Sequence, residues 1–230
     1  RNARYEVKSA IDYFNWYAEE ARRVYGDTIP SSDPSKRLTT LKQPIGVVGA
    51  ITPWNFPLSM IARKFAPALA AGCTIILKPA PEAPLSAVEL FKVFDDVQLP
   101  KGVVNLVLGE PEEIASILME SSAVRKITFT GSTEVGKLLI RQSADTVKKV
   151  SMELGGHAPF IVFDDADLDL AVAGLIQSKF ASTGQQCVCP NRIYVQDAIF
   201  NDFSVRLKEK VASLKVGNGM DETNDIGPLV

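Results

Sequence analysis

Histidine is almost absent from this sequence, since His157 is the only one among 230 residues. A cysteine-histidine hydrolase would have to pair it with Cys187, but it lies in a glycine turn next to Glu153, and nothing local indicates that pairing. A zinc site built from these side chains and Cys189 lacks the usual paired cysteine spacing. A thiol hydrolase therefore stays a distant alternative, and we predict no metal site.

Cysteine and net charge are also scarce. Three cysteines, an odd number, do not make a disulfide framework and fit a reducing compartment, so we expect a cytoplasmic protein. The 25 basic and 27 acidic residues give a net charge of −2, which offers no electrostatic footprint for nucleic acid or an anionic membrane. No apolar run approaches the roughly 18 residues that span a bilayer. We therefore expect small molecules and copies of the same chain as partners.

Both ends of the sequence interrupt a pattern. The first residue is Arg1, and residues 5–25 already have apolar side chains at helical spacing, while residues 225–230 stop as a new apolar run begins. We therefore expect a fragment of a longer protein.

Short β-branched runs alternate with longer helical patterns over most of the chain, which predicts βαβ units on a parallel sheet. The predicted strands are 45–51, 74–77, 103–108, 126–130 and 147–154, and the predicted helices are 58–71, 85–97, 112–120 and 133–142. The fold class is α/β, with a doubly wound, Rossmann-like sheet as the cofactor domain and the first part of an α/β catalytic domain after it.

The domain boundaries follow from changes in this rhythm. Residues 1–25 and 45–153 form the predicted dinucleotide-binding domain, and 26–44 form a polar excursion with a possible strand at 37–41. After Gly155 and Gly156 the rhythm resumes, with strands at 160–163 and 192–196 and helices at 168–180 and 200–214. We expect 154–230 to be a partial second domain that packs closely on the first and leaves a cleft.

Three motifs follow predicted strands. A turn with two prolines holds Asn55 after the first strand, where a side-chain amide could stabilise an oxyanion. Lys78 follows the second strand as a possible cationic anchor for phosphate or ribose. Gly131 and Ser132 lie where a strand passes into a helix, a usual place for phosphate. Each motif has a structural alternative: a packed turn for Asn55, a solvated loop residue for Lys78, and a plain helix cap for Gly131 and Ser132.

Two further motifs carry groups that could react. Glu153 ends an apolar strand in a position that we expect to be half-buried, where a carboxylate has a raised pKa and can act as a general base. Cys187 and Cys189 lie in a polar loop, unlike Cys73, which lies in an apolar run. A reactive thiol is therefore one prediction for this loop, and a packing role for Cys189 is the other.

Taken together, the motifs resemble those of the aldehyde dehydrogenase superfamily. They are Pro53-Trp54-Asn55-Phe56-Pro57, Lys78-Pro79, Phe129-Thr130-Gly131-Ser132, Glu153-Leu154-Gly155-Gly156 and Gly184-Gln185-x-Cys187, in that order. The resemblance covers the whole chain, but members of the superfamily are about twice as long. It implies dimers or tetramers, with the excursion at 26–44 as the oligomerisation hairpin.

The resemblance also implies residue roles. Cys187 would be the nucleophile, Asn55 a donor to the oxyanion and Glu153 the base that activates water for thioester hydrolysis. NADP or NAD would be the cofactor. Its binding residues would be Ile51, Thr52, Pro53, Trp54, Lys78, Glu82, Gly131, Ser132, Val135 and Leu154.

Within the superfamily, the segments around Glu153 and Cys187 look most like succinate-semialdehyde dehydrogenases. Arg63 matches an arginine that binds the substrate carboxylate there, but Ala181 stands where a second arginine is expected. The acid expected three residues after Lys78 is replaced by Pro81 and has moved to Glu82, which favours NADP and leaves NAD open. Another small aldehyde, or a non-catalytic nucleotide-binding fragment, remains an alternative function.

A last prediction concerns Cys189, which could close a small, strained disulfide with Cys187 and so block the nucleophile.

Overall fold

The computed structural model describes residues 2–230, which fold into two compact units. The larger unit comprises Ala3–Glu153, and the smaller one comprises Leu154–Val230 together with Asn2. Within the described residues, no helix combines the length and the apolar character needed to cross a membrane.

The larger unit is built on a five-stranded parallel sheet. Its strands are β3 (Val47–Ile51), β4 (Thr74–Lys78), β5 (Val104–Leu106), β6 (Val124–Thr130) and β7 (Lys149–Glu153). They lie side by side in the order β5-β4-β3-β6-β7. The chain moves outwards from β3 first in one direction and then in the other, so the strand order reverses between β3 and β6. Ligands of open parallel sheets bind at such a reversal, outside the carboxyl ends of the strands.

Five helices accompany this sheet. They are α1 (Asn2–Glu20), α2 (Ser59–Ala70), α3 (Leu85–Asp96), α4 (Pro111–Glu120) and α5 (Thr133–Ser143). Helix α2 places Ile61 and Phe65 against the sheet, where both are fully buried. Phe65 stacks on Phe94 of α3 with 5.8 Å between ring centroids, and Phe14 of α1 meets Phe94 edge to face. Burial of each such side chain contributes about 1.5–3 kcal/mol, which fixes α1, α2 and α3 against each other.

A small hairpin interrupts this unit between α1 and β3. Its strands, β1 (Thr28–Ile29) and β2 (Leu38–Thr39), are antiparallel. Asp27 and Thr40 close its base, since the Thr40 N–H donates to the Asp27 carbonyl at 2.8 Å and the Asp27 N–H donates to Thr40 Oγ1 at 2.9 Å. The observed strand β2 is shorter than the strand predicted at 37–41.

The smaller unit has two parallel strands and two helices. They are β8 (Ala158–Val162), β9 (Pro190–Val195), α6 (Leu168–Phe180) and α7 (Phe200–Ala212). Its core consists of Val162, Val172, Leu175 and Phe203. Asp167 starts α6, since its carboxylate accepts the N–H groups of residues 169 and 170. Among the described residues, single 3-10 turns lie at Ala21–Arg23, Ala144–Thr146 and Asp197–Ile199, and the short segment Ala181–Gly184 contains residues with non-helical backbone angles.

The α/β fold class with a doubly wound parallel sheet is confirmed. Most predicted ends agree with the observed ones to within two residues. The strand predicted at 147–154 is shorter than expected, because Val147 has a left-handed backbone with φ of 50° and cannot continue a strand.

Candidate active site

The carboxyl ends of the central strands lie in register at one edge of the sheet. Ile51, the last residue of β3, pairs with Lys78 of β4 on one side and with Phe129 of β6 on the other. Thr130 of β6 pairs in turn with Glu153 of β7. We call this the strand-end edge, and four of the predicted motifs meet along it.

Two buried hydroxyl groups lie at this edge, on either side of the strand reversal. Thr52 follows β3 and is 3% exposed, and Thr130 ends β6 and is 8% exposed. Neither Oγ1 atom has a hydrogen-bond partner among the residues that the structure describes. An unpartnered buried hydroxyl costs about 1–3 kcal/mol, so this edge is suited to a polar ligand that supplies the missing partner.

The turn between β6 and α5 combines a close backbone approach with a helix cap. A Cβ atom on Gly131 would lie 2.4 Å from Cζ of Phe129, so only glycine fits above that ring. Ser132 Oγ accepts the Val135 N–H at 3.2 Å and so caps α5. The structural alternative for Ser132 is therefore realised, while the first turn of the helix still presents N–H groups and the positive end of its dipole.

Lys78 is not a solvated loop residue, which was the alternative from sequence, because it ends β4 and is 5% exposed. Burial lowers the pKa of its ammonium, and the negative charges of Glu82, Glu112 and Glu110 oppose that shift. Glu82 is exposed and acts on Lys78 through its charge. The strand-end edge thus carries a cation surrounded by carboxylates.

The Asn55 turn is held in place by a contact that the sequence did not indicate. Glu6 of α1 accepts the backbone N–H groups of Leu58 and Ser59 through one carboxylate oxygen, at 2.7 and 3.0 Å. These groups belong to the start of α2, which has no side-chain cap of its own. A carboxylate from another helix therefore anchors the end of the turn that contains Asn55.

Arg63 lies on the exposed side of α2 and contacts α1. Its Nε donates to the Tyr13 hydroxyl at 2.8 Å, and its Cζ lies 5.5 Å from the centroid of the Tyr13 ring. Its neighbour Lys64 points the other way and is 6% exposed, with Nζ donating to Thr128 Oγ1 of β6 at 3.0 Å.

Lys64 is a buried charged residue that sequence reasoning missed. Burial lowers its pKa from 10.5 to about 8, the negative charge of Glu153 opposes this shift, and Arg63 and Lys126 add to it. Its signal in the sequence is a lysine on the apolar face of a helix, next to Ile61 and Phe65. Such a lysine on its own is commonly taken as one that extends to solvent.

Glu153 differs from expectation, because its side chain is exposed rather than half-buried. It is the last residue of β7, an edge strand, and nothing in its own unit covers it. The charge of Glu153 nevertheless reaches Lys64, whose pKa it raises. The reasoning that Glu153 is desolvated by its own strand was therefore wrong.

In the smaller unit, the cysteine loop has a strained backbone. Ser182 and Thr183 have φ of 49° and 60°, and Gly184 follows with φ of 72°. A left-handed conformation is uncommon for a β-branched residue such as Thr183, and strain of this kind persists only where the surroundings fix it. Gln186 fixes the loop by donating from its side-chain amide to the Ser178 carbonyl at 3.0 Å.

The two loop thiols have opposite environments. Cys187 is exposed, whereas Cys189 is 2% exposed, and neither forms a disulfide. Cys189 Sγ lies 3.4 Å from Lys179 Nζ and 3.6 Å from Asn191 Oδ1. These contacts favour the packing role for Cys189, which was one of the two predictions for this loop.

His157 is joined to the second strand of its unit. Its Nδ1 lies 3.0 Å from the Asn191 side-chain nitrogen, and its carbonyl accepts two N–H groups of Arg192 at 3.2 and 2.8 Å. This environment gives no support to a histidine that activates Cys187. Among residues 2–230, no group of three or more histidine, cysteine, aspartate or glutamate side chains is arranged to hold a metal ion.

The structure places the predicted site residues in both units. The larger unit holds Asn55, Arg63 and Glu153, and the predicted cofactor-binding residues apart from Leu154. The smaller unit holds Leu154, Cys187 and Cys189. The larger unit is thus a doubly wound sheet with polar groups at its strand reversal, and the smaller unit carries an exposed loop thiol.

The chain belongs to the aldehyde dehydrogenase family, whose model matches residues 1–230. It is 54% identical over 228 residues to glutarate-semialdehyde dehydrogenase of Pseudomonas putida, covering 99% of this chain and 48% of that protein. It is 56% identical over 229 residues to a probable NADP(+) succinate-semialdehyde dehydrogenase of Sinorhizobium fredii, covering 99% and 47%. The predicted resemblance to the family is confirmed.

A solved structure gives the same result for the fold. Succinate-semialdehyde dehydrogenase from Burkholderia pseudomallei superposes with a TM-score of 0.97 at 51% identity, over 99% of this chain and 47% of that one. The chain spans about half the length of the curated relatives it matches.

Proposed function

We propose that this chain is part of an NAD(P)-dependent dehydrogenase that oxidises an aldehyde with a carboxylate at its other end. The observation that carries the proposal is the exposed thiol of Cys187 in a strained loop, within a chain that matches the family along its whole length. The semialdehyde substrates named for the relatives from Pseudomonas putida and Sinorhizobium fredii support the substrate class.

In the proposed reaction, the Cys187 thiolate attacks the aldehyde carbon to form a thiohemiacetal. The side-chain amide of Asn55 and the Cys187 backbone N–H donate to its oxyanion. A bound nicotinamide would supply the hydride acceptor for this carbon, and loss of the hydride would leave a thioester on Cys187. Glu153 takes a proton from a water molecule that attacks the thioester, which releases the acid and restores the thiol. The sum is aldehyde, NAD(P)⁺ and water giving the carboxylic acid, NAD(P)H and one proton.

The strand-end edge fits a dinucleotide. The unpartnered hydroxyls of Thr52 and Thr130 would gain partners, Lys78 would bind the ribose or its phosphate, and the first turn of α5 after Ser132 would bind the pyrophosphate. The remaining contacts are proposed for Ile51, Pro53, Trp54, Glu82, Gly131, Val135 and Leu154. We favour NADP because Pro81 stands where an acid would meet the ribose hydroxyls, and the Sinorhizobium fredii relative is named for NADP(+). NAD is the alternative.

Arg63 is the proposed anchor for the substrate carboxylate. It is exposed, its neighbour Lys64 is also cationic, and it forms no ion pair among the described residues. An arginine without an acidic partner attracts a carboxylate, which it can bind through two parallel N–H groups. A small aldehyde without a carboxylate is the alternative substrate.

The test is a pre-steady-state burst of NAD(P)H with succinate semialdehyde. We expect a burst from the native protein and none from a Cys187→Ser variant, while Cys73→Ala, which changes a buried core thiol, keeps it. Cofactor binding without a burst in the native chain would instead support a non-catalytic nucleotide-binding fragment. The chain's coverage of only about half of each relative makes that second candidate worth testing.

The hairpin at 26–44 is proposed to contact other copies of the chain in a dimer or tetramer. Its apolar side chains Ile29, Leu38 and Leu41 are 45%, 44% and 80% exposed. Exposed apolar groups on a short hairpin favour association, since a contact would remove them from water. A Leu38→Glu, Leu41→Glu variant should sediment as a smaller species than the native protein, and unchanged sedimentation would contradict the assignment.

A further inference from the structure

Helix α1 supplies a side chain that fixes the orientation of Arg63. Tyr13 accepts the Nε–H of Arg63 at 2.8 Å, and the guanidinium lies against the tyrosine ring with Cζ 5.5 Å from its centroid. The same side chain therefore makes both a hydrogen bond and a cation–π contact. Helices α1 and α2 are also fixed to each other by Glu6 and by the apolar core, so this contact is made between rigid elements.

The contact leaves one edge of the guanidinium available. Arginine has five N–H donors, and Tyr13 takes the single one on Nε. The four N–H groups on the two terminal nitrogens form no other hydrogen bond or ion pair among residues 2–230. Those four groups form the fork that binds a carboxylate end-on through two parallel hydrogen bonds.

Among residues 2–230, no acidic side chain forms an ion pair or hydrogen bond with Arg63. Neither of the contacts that Arg63 makes among the described residues is acidic, and its neighbour Lys64 carries a second positive charge on the opposite side of α2. Tyr13 orients Arg63 without cancelling its charge, because a phenol is neutral. An aspartate or glutamate in the same place would occupy the guanidinium and compete with an anionic ligand.

We propose that Tyr13 is a positioning residue that holds Arg63 with its terminal edge directed to the carboxylate of the substrate. The inference rests on the proposed function and adds a residue of α1 to it. Tyr13 thereby strengthens the preference that Arg63 gives for anionic over neutral aldehydes. Since the guanidinium is already oriented, less conformational freedom is lost when the carboxylate binds.

The experiment compares three single-residue variants with the native protein. Tyr13→Phe removes the hydroxyl and keeps the ring, and Tyr13→Leu removes both contacts. Tyr17→Phe is the matched control, because Tyr17 lies one turn further along α1, away from the Arg63 contact. KM and kcat are measured with succinate semialdehyde and with butanal. Glutarate binding is measured by calorimetry, which does not depend on turnover.

We expect Tyr13→Phe to raise the KM for succinate semialdehyde and the Kd for glutarate by about 3- to 10-fold, with kcat and the butanal KM unchanged. Tyr13→Leu should have a larger effect in the same direction, and Tyr17→Phe should match the native protein. An equal rise in both KM values would show a merely structural role and overturn the proposal.

The outcome for Arg63 separates this inference from the proposed function. If Arg63→Met weakens glutarate binding and Tyr13→Phe does not, the positioning role is refuted and the anionic substrate stands. If Arg63→Met leaves both glutarate binding and the preference for the anionic aldehyde unchanged, the role of Arg63 as carboxylate anchor is refuted. The positioning role of Tyr13 is then refuted with it.

Discussion

The buried ammonium of Lys64 leads to a prediction about protonation that can be measured directly. With a pKa of about 8, its proton should be lost far below the range of ordinary lysines. In a protein labelled with ¹³C at lysine Cε, we expect one resonance to titrate near pH 8 and to disappear in Lys64→Met. Replacing Glu153 with glutamine should lower this pKa further, because the carboxylate favours the ammonium, and Lys126→Met should raise it.

The size of the effect on stability follows from the shift. A pKa of about 8 instead of 10.5 is a change of about 2.5 units, and at about 1.36 kcal/mol per unit it costs the folded state about 3 kcal/mol. The folded pKa is lowered, so the unfolded chain binds more protons between pH 8 and 10.5, and stability should rise with pH through that window. The penalty is complete below pH 8. Lys64→Met should therefore stabilise the protein at pH 7 and lose this advantage near pH 10.5.

Urea unfolding at pH 7 and pH 10.5 measures the predicted difference. Met is close to Lys in length, so the substitution removes the charge with little change in volume. Lys92→Met is the matched control, because Lys92 is exposed on α3, where its ammonium pairs with Glu89. If all lysine resonances titrate near 10.5, or if Lys64→Met destabilises the protein equally at both pH values, the inference of a desolvated ammonium is refuted.

Three more substitutions test other parts of the structure. Val147→Gly should stabilise the protein by up to about 1 kcal/mol in urea unfolding, because a β-branched residue is strained at φ of 50° and this one is 84% exposed; a loss of stability would contradict that strain. Glu6→Gln should cost about 1 kcal/mol by the same measurement, since it weakens the cap on α2, and an unchanged midpoint would show that the cap is dispensable. If Cys187 and Cys189 form a regulatory disulfide, dithiothreitol should not restore the activity of a Cys189→Ser variant after inactivation by peroxide. Full recovery of activity in that variant would refute the disulfide.

The local chemistry of the sequence was sufficient for the fold and for one side of the site. The alternation of β-branched runs and helical patterns predicted the parallel sheet, because central strands such as β3 and β4 are buried along most of their length and helices such as α2 pack an apolar face against them. The carboxyl ends of parallel strands share an edge, so Lys78, Gly131 and Glu153 could be placed together before any coordinates.

Tertiary structure alone decided what surrounds those residues. Glu6 caps a helix 52 residues later, Arg63 meets Tyr13 across 50 residues, and Lys64 reaches Thr128 across 64. Such contacts depend on the packing of whole elements, and periodicity within a window of one helix contains no information about them. The same reason explains the error about the exposure of Glu153, which ends an edge strand that its own unit leaves open. It also explains why the sequence left the role of Cys189 open, since Lys179 and Asn191 from neighbouring elements contact its thiol. The sequence by itself determined which residue types stand at the ends of the strands, and packing between distant elements decided which of them are buried, charged or held in place.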